Sequence, residues 1–194
     1  PRSVSSAASD VYKRQTYIKV DTNIFKFFKS DLKISEDLRY FDREFKGSSN
    51  IDMMLDSELE EGIKEPSFLT KLDALEAFLE KQEKSGKIVG YLDQLKQIRK
   101  AFSDNKKEFY KIPDSKPMTS QLLLLFENSG PDDDLSDIKD FDERFTRITL
   151  PTINMDASEY NQFLDDMMQT INKDFPDLNV TPTGPMVMFQ AQNE

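Results

Sequence analysis

Acidic side chains are the groups in this chain with the widest chemical possibilities. Two sets stand close enough in sequence to act together: Asp165-Asp166, and the trio Glu58, Glu60 and Glu61. A pair of carboxylates can serve as general acid and general base when their surroundings push their pKa values apart. The sequence indicates no partner base, metal ligand or pocket beside either set, so we interpret both as solvated faces.

A third acidic segment follows the spacing of a calcium-binding loop. Asp132, Asp134, Ser136, Asp140 and Glu143 fall at positions 1, 3, 5, 9 and 12 of that template. The template requires glycine at its sixth position for a sharp turn, and this chain has an aspartate there. Its eighth position is usually apolar and here holds a lysine. We therefore interpret the segment as a solvated acidic loop and predict no metal site.

Methionine and phenylalanine near the C-terminus could form an adaptable contact for a lipid-like molecule. The candidates are Phe163, Met167 and Met168 together with Met186 and Met188. The first three recur at helical spacing, which is typical of a helix that faces a core. We assign them to the core and keep the ligand contact as the alternative.

The composition removes most classes of enzyme. The 194 residues include no cysteine, histidine or tryptophan, so the chain has no thiolate or imidazole nucleophile or ligand. Its six glycines form no phosphate-binding loop. The net charge of −10 argues against nucleic acid as a partner, because no basic stripe exists to neutralise phosphates. We expect no catalytic residue, no cofactor and no enzymatic activity.

The periodicity of the apolar residues predicts an α+β fold. Ile34, Leu38, Phe41 and Phe45 mark a first helix, with Ser35 as its N-cap and Gly47 as its stop. Further segments alternate between strand and helix patterns. Residues 16–28 are predicted to be extended. The predicted strands are 49–56, 87–92, 144–153 and a short run at Leu178–Val180. The further helices are 66–84, 92–103, 117–128 and a run that contains Tyr160 and ends before Pro176, with Asp156 and Glu159 at capping-box spacing at its start.

The predicted helix 66–84 is amphipathic. Pro66 suits its first turn, and Phe68 and Leu69 begin an apolar face that continues at helical spacing. The sequence places Glu76 on the opposite, polar face, and Gly86 ends the helix. The order of elements is then β-α-β, a helical insertion over 92–140, and a second β-α-β. Two such units predict a ferredoxin-like split β-α-β sheet backed by two helices.

The same region resembles a known family. The order Gly62-Ile63, Pro66, Phe68-Leu69, Gly86-Lys87 is similar to a pattern in the extracytoplasmic domain of RND-superfamily exporters of the MMPL-like, hydrophobe/amphiphile-efflux type. The end of the chain resembles the family's approach to its second membrane helix at Thr183-Gly184. The resemblance extends from Tyr17 to Met188, and its other segments are 18–23, 27–31, 110–113, 120–127 and 180–185.

The resemblance implies a function and a location. It implies the first extracytoplasmic, porter-type domain of a proton-driven exporter of hydrophobic or lipid-like compounds in a bacterial inner membrane, with this segment facing the periplasm. The partners would be the membrane helices and second extracytoplasmic domain of the same transporter, and a hydrophobic or amphiphilic substrate. The proton-relay carboxylates would lie in membrane helices outside this chain. The alternative is a free-standing soluble binding or interaction module with a ferredoxin-like core.

The termini are expected to differ from the domain between them. Residues 5–15 resemble an in-frame translation of a transposase sequencing adapter, so we expect residues 1–15 to be an artefact outside the fold. We assign residues 16–188 to the porter-like domain and 189–194 to the start of a truncated second membrane helix.

Overall fold

The computed structural model describes residues 24–26, 28–29, 31–130, 135–185 and 187–188. Several expectations lie outside these residues: the adapter-like segment, most of the extended segment predicted over 16–28, Asp132, Asp134, Met186 and the segment 189–194. Where the segment 16–28 is described, the extended prediction was wrong, because Ile24–Lys26 form a 3-10 turn. Within the described residues the chain is α+β, as the sequence predicts. The helices are α1 (Lys33–Phe45), α2 (Pro66–Glu80), α3 (Tyr91–Ala101), α4 (Lys116–Glu127) and α5 (Ala157–Asp174), and the strands are β1 (Ser49–Asp56), β2 (Val89–Gly90), β3 (Phe145–Thr152) and β4 (Asn179–Thr183).

The four strands form one sheet in the order β2-β3-β1-β4. Strand β1 lies between β3 and β4 and is antiparallel to both, and β2 is antiparallel to β3. Strands β1 and β2 are therefore parallel to each other with β3 between them. The connection from β1 through α2 to β2 crosses over β3, and the connection from β3 through α5 to β4 crosses over β1.

One face of the sheet carries the core. Ile51, Met53 and Leu55 of β1 are fully buried at alternate positions, as expected for a strand with one covered face. They belong to one hydrophobic cluster with the inward residues of α2 and α5. Residues of α3 and α4, including Leu95 and Leu122, belong to the same cluster. The helical segment between β2 and β3 thus packs on the common core.

The predicted boundaries around β2 were wrong. Helix α2 ends at Glu80 rather than at residue 84, because the four residues after it have no apolar side chain to bury. The predicted strand 87–92 is reduced to Val89–Gly90, and α3 begins at Tyr91. Tyr91, Leu92 and Leu95 are fully buried, so tertiary packing places on a helix two residues that β-propensity assigned to a strand.

Some predicted helix ends were also wrong. The N-cap of α1 is Leu32, and Ser35 is buried inside the first turn. The helix is stopped one residue before Gly47, by Lys46 in the left-handed conformation at φ 47°. The predicted cap of α5 is confirmed, since the Asp156 carboxylate accepts a hydrogen bond from the Glu159 N–H at 3.0 Å. In the part of the chain that is described, no helix has the length and apolarity that a membrane span requires.

Candidate functional site

Two loops meet where β1 ends and β3 begins. The Ser57 N–H donates to the Arg144 carbonyl at 3.0 Å, and the Glu61 N–H donates to the Asp142 carbonyl at 2.9 Å. Arg144 also holds Asp56 with two hydrogen bonds of 2.7 Å, which lowers the pKa of that carboxyl. These contacts fix the two loops against each other at one end of the sheet.

The same loops hold three glutamates in an uncommon backbone conformation. Glu58, Glu61 and Glu143 have φ values of 67°, 56° and 53°. Residues other than glycine rarely occupy this left-handed region, and their presence is a feature of turns and of functional sites. Here it directs the Glu61 and Glu143 side chains toward one lysine.

That lysine belongs to a line of four charged side chains, of which Glu127 is exposed and the other three are largely buried. Lys64 is only 6% exposed and pairs with Glu143 and, at 3.0 Å, with Glu61. Glu143 also contacts Lys139 at 3.3 Å, and Lys139 contacts Glu127 at 2.9 Å. The order Lys64, Glu143, Lys139, Glu127 is hereafter the ion-pair chain. It connects the turn before α2, the loop before β3 and the end of α4.

The ion-pair chain forms the floor of a cavity of about 570 Å³. Leu124 of α4 and Phe141 line the same cavity and are largely exposed. The result is a charged floor and a rim on which two apolar side chains stand beside the polar Ser136 and Asp140. Such a combination fits an elongated ligand that has a polar end and an apolar body.

The protonation of the floor favours binding over covalent chemistry. Burial alone would lower the pKa of Lys64, but its hydrogen bonds to Glu143 and Glu61 outweigh burial and raise that pKa. The pKa of Lys139 is raised in the same way, against burial, through Glu127 and Glu143. Both lysines are therefore ammonium ions at neutral pH. A nucleophilic lysine needs the opposite shift, so the arrangement provides fixed charges rather than a reactive amine.

A buried hydroxyl lies behind this floor. Tyr91 is fully buried, and no described group is within hydrogen-bond distance of its hydroxyl. Burial first, and then the negative charges of Glu143 and Glu127, raise the pKa of Tyr91. Tyr91 is thus a neutral phenol at neutral pH.

The family-motif residues occupy junctions between elements. Pro66 is the first residue of α2, Leu69 is fully buried and Phe68 packs against the core. Gly86 does not end the helix. The Gly86 N–H donates a hydrogen bond to the Pro151 carbonyl at 2.7 Å. A Cβ added to Gly86 would lie only 3.0 Å from the Lys46 carbonyl oxygen, so the chain passes too close here for a larger residue.

The last two motif residues, Thr183 and Gly184, stand at the end of β4. Gly184 has φ 101°, and an added Cβ would come within 3.0 Å of the Asp52 carboxylate. Both observations require glycine at this position. The motif residues therefore have structural roles at chain junctions, and the cavity does not include them.

The acidic sets named from the sequence are not brought together. Asp165 and Asp166 are exposed on α5, as expected for a solvated face. The predicted solvation of the acidic loop was wrong for Glu143, whose side chain is only 14% exposed because two lysines bind it. Asp140 accepts the N–H groups of Arg144 and Phe145 at 2.9 and 2.7 Å and so closes a turn. Among the described residues, no group of acidic side chains is arranged to hold a metal ion.

Met167 is buried in the core, with Phe163 and Met168 packed against it, as the sequence predicts, and Met188 is 65% exposed. The ion-pair chain has no signal in the sequence, because its members come from three separate segments. It also placed Glu76 on the polar face of α2, whereas Glu76 is only 9% exposed. A signal was present: Glu76 is four residues after Leu72 and three before Leu79, on the buried arc.

Comparison of the chain with protein-family models, with curated proteins and with solved structures finds no match.

Proposed function

We propose that this chain is an extracytoplasmic domain of a membrane exporter of the RND superfamily that moves hydrophobic or lipid-like compounds. The observation that carries the proposal is the order of the sheet, β2-β3-β1-β4, with two crossing β-α-β connections. The sequence resemblance leads to the same porter-type domain independently of the sheet order.

The fold that we propose is the ferredoxin-like split β-α-β with a helical insertion. In that arrangement the two connections each pass over a strand that belongs to the other unit, and both helices lie on one face. The pairing of β1 with β3 and β4, and of β2 with β3, supports it. The insertion is the segment with α3 and α4.

The role of this domain is to guide substrate and to contact other domains. We expect no catalysis from this domain, because carboxylates hold both lysines at the cavity as ammonium ions. Energy for export would enter through membrane carboxylates outside this chain. The partners are the transmembrane and second extracytoplasmic domains, the segment faces the periplasm of a bacterial inner-membrane protein, and nucleic acid has no part.

The source DNA tests the exporter proposal directly. Sequencing across both ends of this reading frame should reveal apolar stretches of about 20 residues before Thr16 and after Glu194, the length that crosses a bilayer. It should also replace residues 5–15 with a different sequence if they derive from an adapter. A start codon with no apolar stretch upstream of Thr16, together with a stop codon directly after Glu194, would contradict the exporter proposal.

The second candidate is a free-standing binding module with the same core. The cavity above the ion-pair chain favours it, because a charged floor and apolar rim suffice to bind an amphiphile without any transport. The test is titration with a fluorescent fatty acid. Leu124→Arg places a charge on the cavity rim, whereas Leu125→Arg, which is the matched control, changes an exposed neighbour outside the lining.

A binding module predicts saturable binding that Leu124→Arg weakens at least tenfold and Leu125→Arg leaves unchanged. Equal affinity in both variants would place any binding elsewhere. If the reading frame continues into apolar stretches at both ends and the chain also binds the fatty acid tightly, the two results would support an exporter whose domain holds its substrate in this cavity.

A further inference from the structure

A second cluster of ionisable groups lies between α2, α3 and the segment that follows α3, away from the cavity. Its members are Asp73, Glu76 and Glu80 of α2, Asp93 and Lys96 of α3, and Tyr110. We call this cluster the carboxylate clasp. Helix α3 contacts both α2 and the turn Lys107–Phe109 that precedes Tyr110. The clasp therefore joins three parts of the chain.

Three of the four carboxylates in the clasp have a donor. Asp73 binds the Lys96 ammonium, and Asp93 accepts a hydrogen bond from the Tyr110 hydroxyl. Glu80 accepts the Ile88 N–H at 3.0 Å. Lys87 stands 3.6 Å from Asp93 at the rim.

Glu76 is the exception. Its Oε1 is buried, and no described group donates a hydrogen bond to it. The residue is only 9% exposed and faces Asp73, Glu80 and Asp93, with Lys96 as the opposing cation. An ionised carboxylate in this place would lack a donor and would be repelled by three like charges, whereas a neutral carboxyl can remain.

We propose that the carboxylate clasp is a proton-responsive contact in which neutral Glu76 allows α2, α3 and Tyr110 to pack together and ionised Glu76 loosens residues 103–110. The proposal does not depend on the function of the domain. Burial, reinforced by Asp73, Glu80 and Asp93 and opposed by Lys96, raises the pKa of Glu76 to about 7. The change of state therefore falls in a range that many cellular surroundings cross.

The loosening follows from competition for Lys96. Lys96 binds Asp73 and stands 6.0 Å from the centre of the Tyr110 ring. Ionised Glu76 attracts the same ammonium and draws it away from Tyr110, since no other donor reaches the buried oxygen within the described part of the chain.

The far end of the segment is held separately. Arg99 is 3% exposed and binds the Ile112 carbonyl and, at 2.7 Å, the Asp114 carboxylate. The hydrogen bond from Arg99 lowers the pKa of Asp114, so this carboxylate remains ionised from pH 5 to pH 8. Residues 111–114 should remain in place while residues 103–110 loosen.

Amide hydrogen exchange of the full chain tests the proposal at pH 5, 6, 7 and 8, with protection factors corrected for intrinsic exchange. The folded pKa of Glu76 is raised above the unfolded value, so the stabilisation is complete at low pH and is lost as pH rises toward 7. Protection of residues 103–110 should fall by up to tenfold per pH unit between pH 5 and 7 and level off above, while residues 111–114 stay constant.

Two variants separate Glu76 from other acids. Glu76→Gln should give protection that does not change over this range. Glu83→Gln, an exposed acid just past the end of α2, should behave as the unchanged chain. The ¹³C chemical shift of the Glu76 side-chain carboxyl, followed against pH in the unchanged chain, needs no variant and should show a midpoint near 7. An ordinary midpoint near 4.5, or the same fall of protection in Glu76→Gln, would overturn the proposal.

Discussion

The ion-pair chain and the carboxylate clasp bury charge in opposite ways. Glu143 is buried between two ammonium groups that hold it, and the pKa of Lys64 is raised despite burial. Glu76 is buried to a similar degree without a donor, and its pKa rises to about 7. Burial alone therefore does not determine the charge state of a carboxylate in this molecule. The number of hydrogen-bond donors and cations next to a buried group decides in which direction its pKa shifts.

The difference has a consequence for the response to pH. In the ion-pair chain, the carboxylates raise the pKa values of Lys64 and Lys139, so both lysines remain ammonium ions at neutral pH. In the clasp, the most buried acid changes state close to neutral pH. One region serves as a fixed floor and the other as a responsive contact.

The largest effect is expected from removing the more buried cation of the ion-pair chain. Lys64→Met leaves Glu143 partly unpaired in a buried place and should lower the free energy of unfolding by about 3 kcal/mol at pH 7. Urea denaturation measures the change. Lys71→Met, at a lysine that is 46% exposed and paired with Asp177, is the control and should cost less than about 1 kcal/mol. Equal losses would remove the distinction between buried and surface pairs.

The next effect concerns the responsive region and has the opposite sign. Glu76→Gln should raise the free energy of unfolding by roughly 2–3 kcal/mol at pH 8, where the native side chain is ionised at a cost. At pH 5 both side chains are neutral in the folded state, and the gain should nearly vanish. Thermal denaturation at the two pH values measures this. A gain of the same size at both would show that charge is not the cause.

The Tyr91 hydroxyl tests whether a missing hydrogen-bond partner lowers stability when the buried group carries no charge. Tyr91→Phe removes a buried hydroxyl that has no partner among the described residues. It should raise stability by at most about 1 kcal/mol, and equally at pH 5 and pH 8, because the pKa of Tyr91 is raised far above this range. A clear loss of stability would reveal a hydrogen bond to the Tyr91 hydroxyl.

The smallest effect is expected where a pair is near the surface. Arg144→Lys replaces the two hydrogen bonds to Asp56 with one, and the Arg144 side chain is 42% exposed. The pKa of Asp56 is lowered, so this pair stabilises the fold above pH 4 and its contribution is lost as pH falls. Urea midpoints of the two proteins should therefore differ slightly at pH 7 and converge near pH 3.

The sequence was sufficient to predict those elements whose pattern of apolar and capping residues matches the burial that they have in the folded chain. Strand β1 was predicted at its observed bounds because alternate apolar residues meet a single covered face. Helix α5 was predicted with its cap because Asp156 and Glu159 act within one turn. The boundary between β2 and α3 failed because Tyr91 has strand propensity but packs as the first residue of a helix.

The sequence by itself determined the α+β class, the order of the long elements and the absence of thiol and imidazole chemistry. These follow from periodicity and composition, which act over neighbouring residues. Only the tertiary structure decided that Lys64, Lys139 and Glu143 meet, and that Glu76 faces three acids rather than water. Such groupings join segments up to 79 residues apart along the chain, from Lys64 to Glu143. Their charge states depend on burial and donors that no single segment contains.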